Sequence, residues 1–124
     1  MSCRKISTEA VLDRVRALAS LDSKEAAQAL PFCRLSAESF SARLKNSSDA
    51  EDFRVVFAAA ADAFYAYMLA AVSRLSDGES IRIGDVTVKN DNKTVIKNAL
   101  SLRDYAVGQA RCLLSDEGFY FRGE

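Results

Sequence analysis

The stretch from Asp49 to Leu75, DAEDFRVVFAAAADAFYAYMLAAVSRL, restricts this chain more than any other part of it. Phe53, Phe57, Ala60, Phe64, Tyr67 and Ala71 recur at steps of four and three, which places them on one face of a helix as a bulky apolar stripe. Beside it runs a row of alanines, Ala59, Ala63, Ala66 and Ala70, slim enough for a second helix to approach to roughly 8 Å between axes. Two stripes require two partners. A short chain has few helices to cover both, so part of this surface is expected to serve as a subunit interface.

The flanks of this helix read in the same terms. Ser48-Asp49-Ala50-Glu51 is a capping-box sequence that predicts the start of the helix, and the acidic neighbours Asp49, Glu51 and Asp52 suit its positive end. Val55 to Val72 is apolar apart from Asp62 and approaches the length of a membrane span, which needs about 20 apolar residues. A central aspartate costs roughly 2.5–3.5 kcal/mol on insertion, and alanine offsets little of it. A buried helix is therefore expected, with no membrane partner. Asp62 lies about 200° round the helix from Ala60, and is expected to be solvated or paired with an arginine.

With 124 residues the chain has the length of one domain, residues 1–124, with one core. Its 17 basic and 17 acidic residues cancel, so net charge gives no indication of nucleic acid. Histidine is absent and the cysteines are three, Cys3, Cys33 and Cys112, without a CxxC pair. That pattern points to reduced thiols rather than a metal set, and Cys33 falls on an apolar stripe as a small core residue. MSCRKISTEA lacks the apolar run of a signal peptide, so export is not expected.

Ahead of the central helix, Ser7 caps a predicted helix over Thr8–Ala19 with Val11, Leu12, Val15, Leu18 and Ala19 inward. Asp22 or Ser23 caps the next, with Glu25 completing the box in the first case. Its register runs Ala26, Leu30, Cys33, Ala37, Phe40, Leu44 and passes through Pro31. The proline either kinks one helix or divides two, giving a mainly α bundle of four or five helices. After Leu75 come Ser80-Ile81-Arg82-Ile83 and Val86-Thr87-Val88-Lys89, joined by Gly84-Asp85. This predicts a hairpin at about 79–90 with Ile83 facing Val86, Ile81 facing Val88 and Gly84 in a type II′ turn. A lone hairpin is marginal, so it must dock on the helices or on another chain. A last helix opens at Asn92 or Thr94 and runs to about Leu114. Val95, Ala99, Leu102, Ala106 and Leu113 face inward, Leu100 and Tyr105 flank them, and Gly118 ends it.

The end of the sequence, Phe119-Tyr120-Phe121-Arg122-Gly123-Glu124, carries three aromatics. Leaving one wet forfeits roughly 1.5–3 kcal/mol, so they are expected to fold back or to insert into another subunit. Ile81, Ile83, Val86, Val88, Phe119, Tyr120 and Phe121 are thus the candidate partner contacts. No phosphate loop, GxSxG or HExxH motif occurs, so no catalytic, cofactor or metal residues are assigned.

The order of parts, with the FAAAADAFYAYM texture, the hairpin SIRIGDVTV and the ending GFYFRGE, resembles small prophage-encoded proteins of Gram-positive bacteria. These in turn look like the head–tail connector, adaptor or head-completion proteins of tailed phages. The resemblance implies a non-enzymatic structural protein that self-associates into a ring at the portal exit and docks to a portal, neck or tail protein. It also implies residence in the bacterial host cytoplasm and then in the virion. The second reading is a small helical regulatory or nucleic-acid-binding module, which requires an exposed basic face from Lys93, Lys97, Arg103 and Arg111.

Overall fold

Three helices surround a fourth whose middle is almost all alanine. In this computed structural model, which describes residues 5–76, 78–89 and 94–115, the elements run α1 (Thr8–Ala19), α2 (Ser23–Arg43), a 3₁₀ turn (Ser47–Glu51) and α3 (Phe53–Val72). They continue through β1 (Ser80–Ile83), β2 (Val86–Lys89), α4 (Thr94–Ala110) and a second 3₁₀ turn (Arg111–Leu113). The expected mainly α bundle with one hairpin between the last two helices is what forms, with four helices.

The central helix α3 touches α1, α2 and α4, and Ala58, Ala59, Ala60, Ala61 and Ala63 are buried on every side. Methyl groups all round a helix let three neighbours approach at once. The alanine row is covered from within the chain at Ala59 and Ala63, which need no second subunit, and is half-buried at Ala66 and Ala70; the bulky stripe is buried at Ala60, Phe64, Tyr67 and Ala71. The helix is long and apolar enough to cross a membrane by composition, but most of it is buried inside the chain.

The start of α3 corrects the expected boundary. Ser48-Asp49-Ala50-Glu51 coils within a 3₁₀ turn instead of opening the helix, with the Ser48 amide donating to Asn46 Oδ1 at 3.0 Å. Asp52 is the cap, accepting from the Arg54 N–H at 2.9 Å and pairing with the Arg54 guanidinium at 3.0 Å. Phe53, the first residue of α3, is 69% exposed, and the buried run starts farther along at Val55. The helix also stops at Val72, short of Leu75.

In α1, Ser7 accepts from the Ala10 amide at 3.2 Å, and Val11, Val15 and Ala19 are buried. The box at the start of α2 is complete, with Asp22 as cap and Glu25 answering it. One helix passes through Pro31, which settles the choice between kink and division in favour of continuity. Proline deprives the carbonyl four residues earlier of its donor; here that is Ala27, and both residues are exposed. The register differs at one turn: Ala29 is buried where Leu30 was expected, and Leu30 is exposed.

The hairpin pairs Ile81 with Val88 and Ile83 with Val86. Gly84 has φ +61° and Asp85 does not share the positive φ, as a type II′ turn requires. The last helix is shorter than expected, ending at Ala110 before the 3₁₀ turn. Ile96, Ala99, Ala106, Val107 and Ala110 are buried, with Val95, Leu102 and Leu113 half-buried behind them, while Tyr105 is exposed. Leu114 then forms a bridge with Leu44, and Ile6 donates its N–H to Ser41 Oγ at 2.9 Å.

Candidate functional site

The hairpin is docked within the chain through its turn. The Asp85 N–H donates to the Ala19 carbonyl at 2.8 Å, and the Gly84 N–H donates to Glu25 Oε2 at 2.9 Å. The other oxygen of Glu25 accepts the Asp22 amide at 3.0 Å. One carboxylate therefore caps α2 and holds the turn. A Cβ on Gly84 would lie 1.7 Å from the Ala19 carbonyl oxygen, so only glycine permits this approach. Ile83 and Val88 are fully buried and Ile81 and Val86 half-buried. Ile83 and Val88 thus face this chain's own core, a correction to their expected place on a contact surface: docking of the turn turns that side of the hairpin inward. Phe119, Tyr120, Phe121 and Gly118 lie outside the described residues, as do Asn92 and Lys93.

The main polar cluster inside the bundle spans α2, α3 and α4. Ser36 Oγ donates to Asp62 Oδ2 at 2.8 Å, and Arg103 approaches Asp62 Oδ1 at 3.7 Å. The guanidinium lies over the Tyr65 ring at 5.3 Å and reaches Asp104 at 3.3 Å. Its Nε is buried without a hydrogen-bond partner among the described residues, so the ring face supplies the compensating attraction. Of the two states expected for Asp62, solvated or paired with an arginine, the structure has the pairing, with Arg103. The cluster ties three helices together; Ser36 donates a hydrogen bond to a carboxylate already engaged by a cation, which is a structural arrangement rather than a nucleophile with a free base.

This placement also bears on the basic face that a nucleic-acid module needs. Arg103 is largely covered and committed to acidic partners, whereas Lys97 and Arg111 are exposed. The thiols divide similarly. Cys33 is buried, and burial pushes its pKa up to about 11; Cys112 is exposed, with the Arg54 guanidinium 3.9 Å from its sulfur. Asp52 is held below the usual carboxylate range, first by the Arg54 side chain and then by the Arg54 amide. Burial raises Tyr67, helped by the negative charges of Glu25 and Asp22; its hydroxyl donates to Gln28 Oε1 at 3.2 Å. Among the described residues, no group of three or more cysteines and carboxylates is placed to hold a metal ion.

Large apolar side chains on the outside mark the remaining candidate surface. Phe53, Leu35 and Tyr105 are more than 60% exposed, and Leu69 is 41% exposed. Phe53 stands on an open groove of about 400 Å³ between α1 and the start of α3, lined also by Ala10, Asp13, Arg14, Ala17, Glu51 and Val56. Sequence reasoning missed this groove because it counted Phe53 as core. The available signal was Asp52, an N-cap residue immediately before an aromatic, which places that aromatic in the first turn.

Comparison of the chain with protein-family models, curated proteins and solved structures gives no match.

Proposed function

We propose that this chain is a non-enzymatic assembly protein of the head–tail connector or adaptor kind, acting by self-association and by docking to a portal, neck or tail protein of a phage. The observation that carries the reading is the set of large apolar side chains on the outside, Phe53, Leu35, Tyr105 and Leu69, on a fold that has already buried its alanine helix and docked its hairpin internally. Single exposed hydrophobes are ordinary, but a groove walled by one of them is the kind of surface that contacts other proteins. The sequence resemblance supplies the type of partner. Its expected setting is the bacterial host cytoplasm and then the virion.

The test is sedimentation velocity over a concentration series, for the chain alone and mixed with a purified portal ring. Species larger than the monomer, or co-sedimentation with the portal, support the proposal. A monomer at every concentration that also fails to co-sediment overturns it.

A further inference from the structure

We infer that the groove beside the last turns of α2 is the docking site of residues 116–121 of this same chain, with Asp116 and Glu117 against its lysines and an aromatic, Phe119 or Phe121, over Leu35. The inference does not rest on the proposed function. Of the exposed apolar side chains named there it gives Leu35 an internal partner and leaves Phe53, Tyr105 and Leu69 as they are.

The groove has a volume of about 620 Å³, and its walls include Lys5, Glu38, Ser41, Ala42, Leu44 and Lys45. Residues 116–121 lie outside the described residues, but the place from which they depart is well defined. Leu44 and Leu114 form an antiparallel bridge, in which the Lys45 N–H donates to the Leu113 carbonyl at 3.1 Å and the Ser115 N–H donates to the Arg43 carbonyl at 2.6 Å. Because Leu44 and Lys45 also line the groove, residue 116 starts at its edge. Antiparallel partners run in opposite directions, so the chain beyond Ser115 sets out toward the residues that precede Arg43. Those are Ala42, Ser41 and Glu38, the wall that α2 contributes.

Reach and charge agree with this course. Leu35, Glu38 and Ala42 recur at steps of three and four and so share one face of α2; all are exposed, Leu35 at 65%. Along a helix the distance from Arg43 back to Leu35 is about 12 Å. An extended chain takes Phe119 roughly 13 Å from Ser115 and Phe121 roughly 20 Å, so the aromatics arrive where the exposed leucine stands. Lys5, held beside α2 by the bond from the Ile6 N–H to Ser41 Oγ at 2.9 Å, and Lys45 outweigh Glu38 and leave the groove net positive. None of these three takes part in an ion pair among the described residues. The segment opens with the acids Asp116 and Glu117. Joined directly to the groove's edge, it has an effective concentration there that a second copy does not match at ordinary protein concentrations.

Limited digestion of the intact chain with chymotrypsin tests this, with cleavage after Phe119, Tyr120 and Phe121 timed by mass spectrometry against a free peptide of residues 114–124. Docking is expected to slow cleavage at these bonds about tenfold or more relative to the peptide, by a factor independent of protein concentration. Leu35→Ser, and Lys5→Glu combined with Lys45→Glu, are all at exposed positions; each variant is expected to lose most of the protection with unchanged helix content by circular dichroism. Cleavage of the wild-type chain at the peptide's rate overturns the inference, and protection that survives in both variants overturns this groove as the site. Protection that grows with protein concentration overturns the intramolecular occupant and gives the groove to the same segment of a second copy.

Discussion

Glu25 and Gly84, 59 residues apart, are joined by a 2.9 Å hydrogen bond from the glycine amide to the carboxylate, and the same carboxylate closes the capping box of α2 through the Asp22 amide. Helix initiation and hairpin docking thus share one side chain. Glu25→Ala removes both bonds and is expected to cost about 1–3 kcal/mol. Glu25→Gln retains a neutral acceptor and is expected to cost less. Urea denaturation gives the magnitude, and faster hydrogen exchange at the Gly84 amide than at amides of α1 would show which part loosens first.

The two glycines with positive φ among the described residues make a controlled pair. At Gly78, φ is +82° and a Cβ would meet nothing within 4 Å, so Gly78→Ala is expected to cost only the left-handed strain, about 1–2 kcal/mol. Gly84→Ala carries the same strain and also drives a methyl group into the Ala19 carbonyl. It is expected to lower the thermal midpoint well beyond the Gly78 variant, with the hairpin displaced from α1. Equal losses at the two positions would contradict the docking described for the turn.

Cys33 gives a pH prediction. Its thiol ionises at about 11 in the folded chain against 9.0 when unperturbed, so between those values the unfolded state binds fewer protons than the folded one. Stability must then fall as pH rises through that window and is unaffected by this group below it. Tyr67, also raised, adds a fall of the same sign at higher pH. The contribution of Cys33 is read as the difference in slope between wild type and Cys33→Ala in denaturation at pH 8 to 11, with the variant expected to be flatter.

Arg103 is expected to behave as an anchored cation rather than a surface charge. Arg103→Met strands Asp62 with Ser36 as its sole remaining partner in the cluster, and should destabilise by about 1–3 kcal/mol. Arg103→Lys should not rescue it, because an ammonium lacks the planar group that lies over Tyr65. A double-mutant cycle with Asp62→Asn isolates the coupling, expected at about 0.5–3 kcal/mol. A cycle closing to zero would mean that the 3.7 Å approach carries no energy.

What the sequence disclosed was local chemistry. Ser7, the Asp22–Glu25 box and the Gly84-Asp85 turn each act over a few residues, so their caps, the bounds of α1 and the strand register were readable without knowing any neighbour. The site was much less so. Leu30 and Ala29 compete for one inward position, and it is Ala29 that is buried, a choice set by packing against other elements. Phe53 keeps helical spacing with Phe57, but it stands in the first turn of α3, ahead of the buried run that starts at Val55. The second bond of Glu25 and the inward turn of Arg103 depend on segments brought together only by the finished fold. Local spacing holds no information about either.

Near the two ends of the described chain, Ile6 is tied to Ser41, and Ser115 donates its amide to the Arg43 carbonyl at 2.6 Å. Ile6 and Ser115 are therefore both anchored to the last turn of α2, although more than a hundred residues of sequence separate them. A spectroscopic pair placed at Lys5 and Ser115 would report a short separation that opens only when the whole bundle comes apart.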